Sequence, residues 1–91
     1  MTRKHIDKIM KIMALAIKIT SETVHDVMCY YYGHVDCINV LIYPRGFDMN
    51  KDYSVHPDYI DMRIYSYKSD EEIMAELDEC IATLNKLYES R

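Results

Sequence analysis

The stretch Val24-His25-Asp26-Val27-Met28-Cys29-Tyr30-Tyr31-Tyr32-Gly33-His34-Val35-Asp36-Cys37-Ile38-Asn39-Val40-Leu41-Ile42-Tyr43 decides the architecture. Residues 24–32 are dense in β-branched and aromatic side chains, which fit a pleated surface better than a helix, and they predict a first strand. Gly33 and His34 supply a turn. From Val35 to Tyr43 a second strand follows, with Ile38, Val40 and Ile42 on one face and Asn39, Leu41 and Tyr43 on the other. The two strands read as a hairpin.

Downstream, Pro44-Arg45-Gly46-Phe47 breaks the strand and opens a polar loop to about Pro57. That is longer than the usual hairpin connection, as expected of a mobile or functional segment. Tyr59 to Tyr67 alternate as a third strand, Ile60, Met62 and Ile64 against Asp61, Arg63, Tyr65 and Tyr67. Ser69-Asp70-Glu71-Glu72 then has the form of a capping box, the serine hydroxyl meeting an orphan N–H and Glu72 reaching back to the cap. Ile73, Leu77, Cys80, Ile81, Leu84, Leu87 and Tyr88 follow at helical spacing, so this helix runs to about Tyr88.

Upstream, Thr2 can cap a helix to about Thr20 whose Ile6, Ile9, Met10, Met13 and Ile17 form one stripe, expected to face the core. Ile12, Leu15, Ala16 and Ile19 widen the apolar surface, leaving area for a groove or a partner. The predicted fold is α+β, α-β-β-β-α: a three-stranded antiparallel sheet with the N- and C-terminal helices on one face.

A chain of 91 residues is a single domain by length, because a second core would leave each half too small to offset the entropy of ordering. Apolar residues at 49% and charged residues at 29% place it among folded rather than disordered chains. With two glycines and two prolines, the elements should be few and long, which argues against a many-stranded barrel. Asp7, Lys8, Lys11 and Lys18 interrupt the first apolar stretch, so neither a signal peptide nor a membrane span is expected and the cytoplasm is the expected compartment. Three cysteines are an odd number in a domain able to build its own core, which suits reduced thiols better than a disulfide framework. Residues 1–20 carry a net charge of +4 and residues 69–91 one of −5, the pattern of neighbouring helices that attract each other.

Few constellations carry chemistry. Cys29, His34 and Cys37 lie near the hairpin turn, and thiolate with imidazole is a zinc-like ligand set. A fourth ligand would have to come from His25, His56 or Cys80, and the spacing matches no paired zinc pattern. His25 or His34 could also serve as base to Cys29 or Cys37, but no oxyanion site, phosphate loop or paired-carboxylate cleft accompanies them. A non-enzyme without a cofactor is therefore expected, and a small metal- or ligand-binding domain built on Cys29, His34 and Cys37 is the alternative.

The chain has nine tyrosines, of which Tyr30, Tyr32, Tyr43, Tyr65 and Tyr67 would crowd the sheet face away from the helices, bordered by Asp61 and Arg63. One reading is cross-strand tyrosine pairing on a solvated face; the other is a partner-binding surface, since tyrosine supplies large contact area with few rotors and a hydroxyl to satisfy. The last helix offers a second one, in Asp70, Glu71, Glu72, Glu76 and Glu79, which are expected to face solvent.

The order α-β-β-β-α, with a Gly-His pair between the first two strands, resembles the double-stranded-RNA-binding domain in topology. That family places a lysine cluster at the start of its second helix, where this chain has Asp70, Glu71 and Glu72; these would repel phosphates, so direct nucleic-acid binding is not expected. The segment from Gly33 to Phe47, followed by an acid-capped helix, resembles small uncharacterised proteins encoded by phages and prophages of low-GC Gram-positive bacteria. The resemblance implies an accessory role in phage biology, with a host or phage macromolecule as partner. Beside it, the expected type is a non-enzymatic interaction protein of the bacterial cytoplasm, an inhibitor or regulator of a host factor that binds a host or phage protein through the tyrosine face or the acidic helix. A homodimer is also expected, from the broad apolar surface of the first helix and an open sheet edge.

Overall fold

The structure, a computed structural model, describes residues 1–53 and 58–90. Helix α1 spans Arg3–Glu22, strands β1, β2 and β3 span Asp26–Tyr32, Cys37–Tyr43 and Ile60–Tyr65, and helix α2 spans Asp70–Glu89. The fold is the predicted α+β arrangement, an antiparallel sheet in the order β1-β2-β3. Strand ends lie within two residues of the sequence reading, and the third strand stops at Tyr65 rather than Tyr67.

The hairpin turn is more elaborate than a Gly-His pair. Gly33–Val35 form a single 3-10 turn and Asp36 takes a left-handed conformation at φ 45°, a region that Asp enters more readily than most residues. Its carboxylate is held by the Met1 ammonium at 2.7 Å and by the Tyr31 hydroxyl at 2.5 Å. These hydrogen bonds, the ammonium's first, pull the Asp36 carboxyl down to about 2. After β2, Pro44 and a left-handed Arg45 make a turn closed by Gly46 N–H donating to the Tyr43 carbonyl at 3.0 Å. Gly46 sits at φ 99° with the Val24 carbonyl 3.2 Å from where a Cβ would stand, so only glycine fits without displacement.

Ile38, Val40 and Ile42 of β2, Val27 of β1 and Ile64 of β3 meet Ile12, Ala16 and Ile19 of α1 and Ile73, Leu77, Cys80 and Leu84 of α2 in one core. Thr20 ties α1 to the sheet by accepting from Val27 N–H at 2.9 Å, which makes the helix-to-strand connection short and tight. The helices run side by side in the same direction: His5 Nε2 lies 2.7 Å from Asp70, Lys8 pairs with Asp78, and Tyr88 donates to Glu22 at 2.7 Å. Opposite charge on neighbouring helices thus has the structural use read from the sequence.

The rotation of α1 differs from expectation. Ile6, Met10, Met13 and Ile17 face outward, at 47, 65, 40 and 61% exposure, and of the predicted stripe only Ile9 packs against the core. The core face is His5, Ile12, Ala16 and Ile19. The cause lies in the first turn, where the Thr2 hydroxyl accepts from His5 N–H and His5 Nδ1 accepts from Thr2 N–H, while Asp70 meets the other ring nitrogen. His5 is drawn inside, and Ile12, Ala16 and Ile19 follow it at helical spacing. The α2 cap also differs in detail: Ser69 accepts from Glu72 N–H at 3.2 Å, and the Glu72 carboxylate meets the serine hydroxyl.

Two outcomes test this account. Ile12→Ala or Leu77→Ala should cost about 2–5 kcal/mol in denaturant unfolding, whereas Met10→Ala should stay within about 0.5 kcal/mol at concentrations too low for association. Asp36 has a depressed carboxyl, so its contribution to stability is full above the unfolded value of about 3.9 and is lost as pH falls toward about 2. Thermal melts over that window should fall less steeply for Asp36→Asn than for the unaltered chain.

Candidate interaction surface

Because β2 is the central strand, its side chains away from the helices form the floor of the open sheet face. The register puts Tyr32, Cys37 and Tyr65 in one cross-strand row, Tyr30, Asn39 and Arg63 in the next, and Met28, Leu41 and Asp61 in a third. Asn39 is only 4% exposed, and an amide so enclosed needs partners. Its Nδ2 donates to Asp61 Oδ1 at 2.6 Å and to the Met62 carbonyl at 3.1 Å. Asp61 in turn accepts from Arg63, whose Nη2 stands 3.2 Å from Oδ2. Hydrogen bonds to Tyr65 and to Asp61 hold the Arg63 guanidinium above its ordinary value. Asp61 and Arg63 were expected as a border; they form instead, with Asn39, a connected polar patch along the face.

Aromatic side chains frame that patch on both sides. Tyr30 and Tyr32 on β1 are exposed and stack with centroids 6.4 Å apart. Across the sheet Tyr65 lies against Tyr67, which extends past the end of β3 with centroids 5.3 Å apart and is the most exposed tyrosine of the set. Tyr32 and Tyr65 flank a shallow hollow of about 300 Å³ with Cys37, Asn39, Arg63 and His34 along its lining.

Tyr43 does not belong to this surface. It is 8% exposed because Phe47, Tyr53 and Tyr59 pack on it at 5.0, 5.1 and 5.5 Å between centroids. Those three come from the connection between β2 and β3, which therefore carries its own aromatic cluster instead of being simply polar. Their spacing in an otherwise polar segment was the available signal. The expected loop end, Pro57, and His56 lie outside the described residues.

The acids of α2 are largely engaged inside the molecule. Asp70 meets His5, Glu72 serves the Ser69 cap, and Glu76 is half-buried and paired with Lys68 at 2.5 Å. The expectation that Glu76 projects freely into solvent is thus corrected: the Lys68 side chain folds back over the second turn of the helix. Glu71 and Glu79 are exposed, and neither has an ion pair among the described residues.

Cys29, His34 and Cys37 are not brought together. The hairpin register sends Cys29 toward the helices and Cys37 to the opposite face, while His34 is exposed in the turn. Among the described residues no group of three His, Cys, Asp or Glu side chains could hold a metal ion. Burial raises all three thiols, Cys80 to about 12. A nucleophilic cysteine needs the opposite shift.

Compared with protein-family models, with curated proteins and with solved structures, the chain matches none. No helix among the described residues is long and apolar enough to cross a membrane.

The thiols supply a direct check. At mildly alkaline pH, iodoacetamide should label Cys29, Cys37 and Cys80 slowly in the native protein and rapidly in denaturant, as followed by mass spectrometry. Fast native labelling of Cys37 would contradict its place under Tyr32 and Tyr65.

Proposed function

We propose that this chain is a small non-enzymatic protein-interaction module, of the phage-accessory type, that binds and regulates a host or phage protein through the open face of its sheet. The observation that carries this reading is the Asn39–Asp61–Arg63 hydrogen-bonded patch framed by Tyr30, Tyr32, Tyr65 and Tyr67. Such a patch is ordered before any partner arrives, so less rotamer freedom is lost on binding. Aromatic rings beside an arginine are the side chains that most often carry binding energy at interfaces. The resemblance of residues 33–47 supports the phage-accessory role and the bacterial cytoplasm as its setting.

Recognition through the acidic helix is less well supported. Asp70, Glu76 and Asp78 already contact His5, Lys68 and Lys8, and a basic partner would compete with those contacts. Exposed charge alone contributes chiefly to the rate of encounter and its salt dependence.

Affinity capture from the natural host, followed by measurement on the purified partner, separates the two surfaces. Tyr65→Ala with Tyr67→Ala should weaken binding by about 10-fold or more, while Glu71→Lys with Glu79→Lys should change it little. Glu71 and Glu79 are the residues to reverse, because altering Glu76 would also release Lys68. Loss of binding on charge reversal, with the tyrosine variant unaffected, would overturn the assignment to the sheet face.

A further inference from the structure

We propose that the outward stripe of α1 is a seam for a second copy of this chain, laid antiparallel, and that it is separate from the sheet face. Ile6, Met10, Met13 and Ile17 recur at intervals of four, three and four residues, all exposed. Alternating steps of three and four are the spacing of a two-helix seam. The order Ile-Met-Met-Ile also reads the same in both directions. A two-fold axis through the middle of α1 therefore sets Ile6 against Ile17 of the second copy and Met10 against its Met13, with no apolar side chain left opposite a charge. A surface that matches itself about a two-fold is what an isologous dimer requires.

Charge bears on the sense of the pairing. The lysines of α1 keep off the seam and turn toward α2: Lys8 pairs with Asp78, Lys18 lies 4.6 Å from the Tyr88 ring centre, and Lys11 lines a groove with Ile81 and Asn85. A parallel pairing would set Arg3 against its counterpart and align the two helix dipoles.

The neighbouring strand edge is not an alternative route. The contacts place α1 over β1 and α2 over β3, so the helices stand above the outer strands. Joining β1 to β1 of a second copy would bring the two α1 axes within about 5 Å, short of the roughly 8–10 Å that packed helices need. The open edge expected from the sequence is thus guarded by its own helix, and it is the helix that a second copy meets. A helix of 20 residues is about 30 Å long. A groove lined by Met1, Ile6, Ile9 and Tyr31 extends the seam at the N-terminal end of α1. In the antiparallel register the exposed Val24 of the second copy approaches that groove.

Sedimentation of the purified full chain across a concentration series tests this. The expected result is a reversible rise to twice the 10.8 kDa of the chain. Met13→Glu should raise the dissociation constant by about 100-fold or more, because each dimer would bury two unpaired carboxylates, with far-UV circular dichroism unchanged. Tyr65→Ala with Tyr67→Ala should leave association intact, so failure of the sheet-face reading and failure of this one are distinguishable. Orientation is read by mixing Met10→Cys and Met13→Cys chains under oxidation: the antiparallel seam gives the mixed disulfide, whereas a parallel one gives each with itself. A single 10.8 kDa species at every concentration, a dimer unaffected by Met13→Glu, or self-linked products only would each overturn the proposal.

Discussion

The constraint on which the structure depends is the burial of β2 on both faces. Six of its seven residues are buried, although only three of them face the helices. Ile38, Val40 and Ile42 are covered by α1 and α2, as in any two-layer domain. Cys37, Asn39 and Tyr43 lie on the side that no helix covers, and neighbouring strands and the β2–β3 connection must enclose them. Tyr32 and Tyr65 flank Cys37 in its row, Arg63 and Asp61 close over Asn39, and Phe47, Tyr53 and Tyr59 pack on Tyr43. The candidate recognition surface is therefore also a thin second roof on the central strand. Its polar patch exists because a buried amide cannot be left without partners.

Electrostatics is used mainly within the molecule. Two helices side by side in the same direction align their macrodipoles, which is mildly unfavourable, and α1 has no acid in its first turn. Asp70, Glu71 and Glu72 open α2 beside that turn, with Asp70 in contact with His5. The acids that cap α2 thus lie near both positive helix ends. Together with Lys8 and Asp78, this gives part of the charge contrast between the chain ends a use inside the molecule.

The elements legible in the sequence were those whose pattern admits one solution. The parity of Ile38, Val40 and Ile42 and of Met62 and Ile64 picks the face turned to the helices, and Ser69 followed by acids allows one helix start. Helix α1 was different, because its apolar residues satisfy helical periodicity twice, as Ile12, Ala16 and Ile19 and as Ile6, Met10, Met13 and Ile17. Periodicity cannot choose between two such stripes; the choice is made by His5, whose ring is held at the cap and by a residue of another helix. Among the site residues, Tyr30, Tyr32, Tyr65, Asp61 and Arg63 were readable from strand parity. The burial of Tyr43 and the capture of Glu76 by Lys68 were not, since both depend on segments outside regular strands folding back.

The aromatic cluster over Tyr43 has an optical consequence. The chain contains no tryptophan, so its near-ultraviolet signal comes from tyrosine with a single phenylalanine. Tyr43, Tyr53 and Tyr59 are held in fixed edge-on and stacked arrangements, whereas Tyr67 is largely solvated. Rings immobilised in an asymmetric setting dominate near-ultraviolet circular dichroism, and the band vanishes when packing loosens even if helices and strands persist. The molecule thus carries an intrinsic spectroscopic reporter of the β2–β3 connection, readable separately from the backbone signal of the two helices.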